Sequence, residues 1–250
     1  MEYSELRGDL DVEFHRLREV ASGADLAADV PSCPDWTLAD LVRHVAEVYL
    51  HKAQCIRFAR EPDPWPPEGI EDEMPIALLD RAYAALAGEL DTHSPTERSY
   101  TWYDPDQSVG FWYRRMAHET VVHRVDAELA AGVPLTSIPD DLANDGVDEI
   151  LVVIAEFSTV YWPDYFSDAL AGADRRTVRL STPQRSWDVL MTRENVRVRE
   201  SGPGEPTATV AGAPSDVLLW LWDRRPDAPV PQGDADTPDT LRRVLAIATR

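Results

Sequence analysis

Apolar side chains recur at three- and four-residue steps through the first 165 residues, the spacing that places them on one face of an α-helix. In the opening segment they are Leu6, Leu10, Phe14, Leu17 and Ala21. In the third predicted helix they are Ile76, Leu79, Tyr83, Leu86 and Leu90, and Pro75 lies in the first turn of that helix. Further helices are predicted over residues 109–131 and 139–161. The first 165 residues are therefore predicted to form a helical bundle.

The second helix has the clearest predicted start. Thr37 can cap it, Asp40 three residues later can complete a capping box, and Trp36 with Leu41 can form the flanking apolar contact. After this helix, residues 61–67 are rich in proline, which lacks a backbone donor. That stretch is predicted to be an extended surface connection.

The pattern changes near residue 173. Short alternating runs at 177–180, 187–191, 196–198 and 207–210 predict strands, and apolar helices follow at 217–222 and 241–248. We therefore predict an α+β chain with two domains. Residues 1–165 form the helical bundle, and residues 174–250 form a smaller domain of antiparallel sheet plus helices.

Composition excludes several kinds of partner. Acidic residues outnumber Lys plus Arg by 45 to 24, a net charge of −21, which disfavours binding to nucleic acid and to anionic lipid. The same charge is typical of a highly soluble protein from a salt-adapted or high-GC, actinobacterial-type proteome. The absence of a signal sequence, of a membrane-spanning apolar run and of a cysteine framework predicts a cytoplasmic protein.

Candidate chemistry lies in the fourth helix. Glu119 and His123 are four residues apart and share one helix face, close to its inward stripe. A carboxylate and an imidazole that point inward need a partner, and a divalent ion satisfies both. The alternative is an ordinary pair, with Glu119 bonded to Arg115 or His123 hydrogen-bonded on a partly exposed face. The spacing alone leaves both interpretations open.

His44 adds an imidazole on the core side of the second helix, where it is either a ligand or a satisfied core histidine. With Glu119 and His123 it would give three protein ligands and leave room for water or substrate, as catalytic metal sites do. Asp126, three residues after His123, can accept the second imidazole proton or remain a solvated acid. His118 and His51 are excluded, by direction and by distance along the helix.

Two segments carry a resemblance: CPDWTLADLVRH at 33–44 and AHETVVHRVD at 117–126. They resemble the signature stretches of the mycothiol-dependent maleylpyruvate isomerase family, within the DinB-like metalloenzyme superfamily. The resemblance implies a DinB-like up-down helical bundle followed by a smaller α/β domain. It also implies that His44, Glu119 and His123 bind a divalent metal, with zinc as first choice and nickel, cobalt or iron as alternatives.

The resemblance further implies an enzyme that uses mycothiol or another low-molecular-weight thiol. The thiolate would add to an unsaturated small acid and permit cis/trans isomerisation, or would be transferred in a related conjugation. Arg224 is the candidate for gripping an anionic substrate, and its alternative role is to complement the C-terminus of the preceding helix. Neither Cys33 nor Cys55 is an attractive nucleophile, which favours an external thiol.

Two other functions remain open. A metal-dependent hydrolase would use the same ligands to activate water without a thiol. A non-catalytic protein would carry a small apolar ligand in its C-terminal domain. In each case the expected partner is a small molecule, and the chain is expected to be a monomer or small homo-oligomer.

Overall fold

The computed structural model of the chain describes residues 1–225 and 227–249 and divides into two compact units, Met1–Thr136 and Ser137–Arg250. The first unit is helical, as predicted. Its helices are α1 (Tyr3–Gly23), α2 (Leu38–Phe58), α3 (Pro75–Thr92) and α4 (Val109–Ala131), with a 3-10 turn at Ile70–Asp72. Their apolar faces meet in the middle of the unit and form its core.

Helices α1 and α4 run in the same direction. Near their starts the Tyr3 and Tyr113 rings lie 5.8 Å apart, and towards their ends Arg16 Nε donates to Glu128 at 2.8 Å. Helix α3 runs opposite to α1, because the early Arg7 bonds to Asp91, which lies late in α3.

Helices α2 and α3 also share a direction. Arg43 bonds the carbonyl of Glu73 just before α3, and Arg57 bonds Glu89 near the end of α3. The order is therefore up-down-down-up, which refines the predicted up-down bundle. The physical reason is the long connection over residues 59–74. About 16 extended residues can span roughly 50 Å, more than the roughly 31 Å length of α2.

The second unit begins with helix and ends with a sheet covered by helices. Its helical elements before the sheet are α5 (Asp140–Glu149), a π-helical segment (Ile150–Glu156), α6 (Phe157–Tyr161), a 3-10 turn (Pro163–Phe166) and α7 (Ser167–Leu170). The strands are β1 (Arg176–Ser181), β2 (Ser186–Met191), β3 (Val196–Glu200), β4 (Ala208–Ala211) and β5 (Gln232–Gly233). Helices α8 (Pro214–Leu221) and α9 (Asp236–Ala248) complete the unit.

The sheet has the strand order β3-β2-β1-β4-β5 and is mixed. Strand β1 pairs antiparallel with β2 but parallel with β4, in a register that places Val178 opposite Ala208. The prediction of a purely antiparallel sheet is wrong at this pair. Alternating side chains fix which face of a strand is buried but not which strand lies beside it, so the sequence pattern could not reveal the parallel neighbour.

The helices at 140–161 belong with the sheet and not with the bundle. Thr159 Oγ1 accepts a hydrogen bond from the backbone N–H of Val196 in β3 at 3.0 Å, and Glu156 accepts one from Val198 at 3.1 Å. The structural division at Thr136 and Ser137 therefore lies about 30 residues before the predicted domain boundary. The helical periodicity of the sequence continues beyond residue 137, so the sequence pattern did not reveal where the first unit ends.

None of the helices among residues 1–225 and 227–249 has the length and apolar character needed to cross a membrane.

Candidate metal centre

The start of α2 positions the first candidate ligand. Thr37 Oγ1 accepts from the backbone N–H of Asp40 at 3.3 Å, and Asp40 accepts from the backbone N–H of Thr37 at 2.9 Å. The predicted capping box is confirmed, and it fixes where the helix begins. His44 follows two turns later, with its side chain 36% exposed.

The other two candidate ligands lie on α4, most of which is buried in the bundle. Glu119 and His123 are one turn apart, with side chains 12% and 11% exposed. Because α4 packs against α2, their side chains face the helix that carries His44.

His44, Glu119 and His123 converge on one point. Glu119 Oε1 lies 3.1 Å from His123 Nε2 and 3.4 Å from His44 Nε2, and one potential ligand atom from each residue lies within 4.8 Å of the others. The two imidazole rings meet edge to face, with centroids 5.1 Å apart. The expected meeting of three side chains from two helices is therefore present.

Arg115 holds the other oxygen of Glu119. Its Nη2 donates to Oε2, while Oε1 faces the two imidazoles. The sequence had offered this contact as an alternative to ligation. The structure shows the Arg115 contact and keeps Oε1 directed at the two imidazoles, because one carboxylate has two oxygens that can serve two partners.

Asp126 and Ser32 orient His123 from behind. The Nδ1 of His123 donates to Asp126 Oδ2 at 2.9 Å, and the hydroxyl of Ser32 donates to Asp126 Oδ1 at 2.5 Å. Asp126 is fully buried, so it is the hydrogen-bonded partner foreseen and not a solvated acid. Sequence reasoning missed Ser32, whose only signal was its place beside the segment that leads into α2.

The loop before α2 also brings Trp36 to the cluster. Backbone hydrogen bonds from Val30 to Trp36 at 2.9 Å and from Leu38 to Ala28 at 2.8 Å fix this loop. The Trp36 ring centroid lies 4.8 Å from that of His44. An aromatic wall therefore limits the directions from which a ligand reaches His44.

The electrostatics of the cluster favour a bound positive charge. Burial opposes ionisation of Glu119, but the charges of Arg115 and His123 outweigh it and hold the pKa of this carboxyl well below its usual range. Burial likewise opposes protonation of His123, but Glu119 and Asp126 outweigh it and raise its pKa to about 9. The carboxylates thus stabilise a cation at the imidazole, either a proton or a metal ion.

Comparison with known proteins identifies the first unit. Residues 8–128 match the family described as the mycothiol maleylpyruvate isomerase N-terminal domain. The first unit therefore contains the N-terminal domain of that family. The resemblance drawn from residues 33–44 and 117–126 is confirmed. No curated protein matches the chain by sequence.

The fold of the whole chain is also shared with solved members of the family. A crystal structure of the mycothiol-dependent maleylpyruvate isomerase is similar at a TM-score of 0.66 and 15% identity, over 95% of this chain and 96% of that one. A histidine-to-alanine mutant of a mycothiol-dependent maleylpyruvate isomerase is similar at 0.59 and 13% identity, over 88% of both chains. The predicted α+β architecture is confirmed.

His44, Glu119 and His123 fit a divalent ion. Ligand atoms bound tetrahedrally to one ion at about 2.0–2.2 Å lie roughly 3.4 Å apart. Glu119 Oε1 lies at 3.1 Å from His123 Nε2 and 3.4 Å from His44 Nε2, which matches this spacing. Two imidazoles and one carboxylate are a donor set found in catalytic zinc sites. Asp126 supplies the hydrogen bond that such ligating histidines usually make.

The remaining candidates lie away from the cluster. His51 Nδ1 contacts Lys52 and Cys55, and His118 is buried elsewhere on α4, so neither belongs to the cluster. Arg224 lies in the second unit after α8, where its Nη1 donates to the carbonyl of Trp222 at 2.6 Å. Its role towards a substrate stays a prediction.

Proposed function

We propose that this protein is a metal-dependent enzyme that uses a low-molecular-weight thiol, mycothiol above all, to isomerise a small unsaturated acid or to transfer the thiol to it. The observation that carries the proposal is the convergence of His44, Glu119 and His123 within a domain of the mycothiol maleylpyruvate isomerase family. Zinc is the first choice of ion, and nickel, cobalt or iron are alternatives.

Two of the three residues are held by neighbouring side chains. Arg115 fixes Glu119 so that Oε1 is directed at the cluster, and Asp126 with Ser32 fixes the ring of His123. When bound, a divalent ion would favour the thiolate form of a thiol placed beside it and so provide a nucleophile near neutral pH. Because these side chains are already held in place before a thiol arrives, less conformational entropy is lost when the thiol binds.

The exposed side of the cluster lies at His44. Glu119 and His123 are largely enclosed, whereas about a third of the His44 side chain reaches solvent. A thiol would therefore approach past His44 and the ring of Trp36.

The thiol comes from outside the chain. Burial raises the pKa of Cys55 to about 11, which keeps it a thiol at neutral pH. Cys33 lies in the loop before α2, and neither Cys33 nor Cys55 forms a disulfide within the described residues. Cysteines outside disulfides fit the reducing cytoplasm, which we propose as the location of this enzyme, as a monomer or small homo-oligomer.

Metal content tests the proposal. Elemental analysis of the purified protein should find about one divalent ion per chain, and His123→Ala should lose it. His93→Ala is the matched control, because His93 lies four residues after Glu89 on α3 just as His123 follows Glu119. Equal metal content in the wild type and His123→Ala would contradict the proposal.

Turnover then separates the possible reactions. The proposal expects conversion of maleylpyruvate, or of a related unsaturated acid, only when both metal and mycothiol are present. Conversion that ignores added thiol would indicate a metal-dependent hydrolase. Retained ligand affinity in His44→Ala and His123→Ala, without turnover in any protein, would indicate a binding protein. Arg224→Ala, beside Arg225→Ala as control, tests whether Arg224 holds the substrate.

A further inference from the structure

Lys52 is the only lysine in the chain. The other basic residues are all arginines, so 23 of the 24 Lys plus Arg positions carry a guanidinium. Lysine and arginine are not interchangeable, because the ammonium group is a compact, strongly hydrated charge and the guanidinium is planar and delocalised. The position of this single lysine is therefore compared with the positions of the arginines.

Lys52 lies in α2 on the side that faces α4, and its side chain is half-buried. The Nζ atom lies 5.0 Å from the ring centroid of Trp112 on α4, and it lies 3.2 Å from Nδ1 of His51. Burial lowers the pKa of His51 to about 4, with the charge of Lys52 adding to the effect. A neutral His51 can accept one hydrogen bond from the ammonium group.

The ammonium group of Lys52 has no carboxylate directly bonded to it in the part of the chain that the structure describes. Among residues 1–225 and 227–249, Lys52 forms no ion pair with a carboxylate. Buried arginines of the same unit are paired, as Arg124 is with Glu13 at 2.6 Å. A half-buried ammonium group without a directly bonded carboxylate favours the binding of an anion beside it.

Lys52 also lies near the metal centre. It is eight residues beyond His44, about 12 Å further along the same helix, and its side chain meets Trp112, which lies seven residues before Glu119. Burial lowers the pKa of Lys52, Cys55 and Glu119 oppose that effect, and Arg115 adds to it. Glu119 and Arg115 are thus close enough to interact electrostatically with the ammonium group.

We propose that Lys52 binds the carboxylate of the anionic substrate, beside the cluster of His44, Glu119 and His123. That the bound anion is the substrate rests on the proposed function. That an anion binds at this place rests on the surroundings of Lys52 alone. A small acid held by its carboxylate at Lys52 would have the rest of the molecule directed towards the cluster.

The single lysine allows a direct test in the unaltered protein. Protein produced with ¹³C-labelled lysine gives one lysine side-chain signal by NMR, and that signal belongs to Lys52. Maleate, a small dicarboxylate, should shift it saturably, whereas dimethyl maleate, which lacks the charge, should not. Absence of a saturable shift with maleate would overturn the proposal.

Variants supply the second measurement. Lys52→Met should weaken maleate binding at least tenfold by calorimetry, and Lys52→Arg should recover part of the loss because it keeps the charge. Arg60→Met, an exposed cation just past the end of α2, is the control and should bind as the wild type does. Equal binding by Lys52→Met and the wild type would mean that maleate lies elsewhere, which would also overturn the proposal.

Metal analysis of the same samples keeps the two proposals apart. A Lys52 signal that responds to maleate in protein without a specific metal would leave the anion site standing and remove the metal-dependent function. A metal-loaded, thiol-dependent enzyme whose Lys52 signal ignores maleate would do the reverse.

Discussion

Two pairs of glutamate and histidine in the first unit have the same spacing and different neighbours. Glu119 and His123 lie one turn apart on α4, with Oε1 to Nε2 at 3.1 Å. Glu89 lies in the last turn of α3 and His93 follows the last residue of that helix, with Oε2 to Nε2 at 3.3 Å. Sequence spacing alone would make both pairs equal candidates for a metal site.

Both histidines also have a second carboxylate at the opposite ring nitrogen. Nδ1 of His123 donates to Asp126 at 2.9 Å, and Nδ1 of His93 donates to Glu97 at 3.0 Å. The outer hydrogen bond therefore does not distinguish the two sets.

The neighbouring helix makes the difference. On α4 the glutamate meets His44, an imidazole from α2, whereas on α3 it meets Arg57, a cation from the same α2. Both glutamates bond a guanidinium through one oxygen, Glu119 to Arg115 and Glu89 to Arg57, so the second imidazole is what distinguishes the α4 set. If the α4 set holds a metal as proposed, the facing helix matters more than the Glu and His spacing, because it supplies the third ligand.

The largest expected effect comes from removing that facing imidazole. His44→Ala reduces the α4 set to the composition of the α3 set, so metal affinity should fall by more than about 100-fold, beyond the 10–100-fold range of outer partners. Competition with a chelator of known affinity measures it. His15→Ala, a histidine on α1 outside the cluster, is the control, and a His44→Ala protein that kept stoichiometric metal would refute this account.

An intermediate effect is expected for the outer carboxylate. Asp126→Asn keeps the shape but removes the charge behind His123, so metal affinity should fall by about 10–100-fold. Glu97→Gln makes the same change behind His93 and should leave metal binding unchanged. An equal response of both variants would show that Asp126 acts through overall charge and not through His123.

The smallest effect is expected for the hydroxyl that orients Asp126. Ser32→Ala removes one hydrogen bond to a charged group, worth about 1.5–3 kcal/mol at most, of which only part reaches the metal. We expect a loss of affinity of less than about tenfold, measured by the same chelator competition. Ser94→Ala, near Glu97, is the control. A loss as large as that of Asp126→Asn would mean that Ser32 has a more direct role.

Local features were predicted well from the sequence. The Thr37 and Asp40 pair fixed the start of α2, and the limits predicted for α4 agree with Val109–Ala131. Both depend on contacts between residues a few positions apart, which a sequence displays directly. The predicted helix faces were enough to name the three side chains of the cluster, without knowledge of the distances between them.

Features that depend on distant neighbours were not predicted. The parallel pairing of β1 with β4 and the short strand β5 depend on which segments meet in space. Ser32 reaches Asp126 across 94 residues of sequence, and no spacing rule connects them. The separate surroundings of Lys52 became visible only when α2 and α4 were placed side by side.

The packing of the four helices implies that an ion bound at the cluster would stabilise the first unit. Helix α4 packs mainly with α1, and α2 packs mainly with α3, while the three candidate ligands lie where α2 meets α4. An ion held there would fasten one helix pair to the other and resist their separation. Because it would bind only the folded chain, free ion at 100 times its dissociation constant would add about 2.7 kcal/mol to the free energy of unfolding.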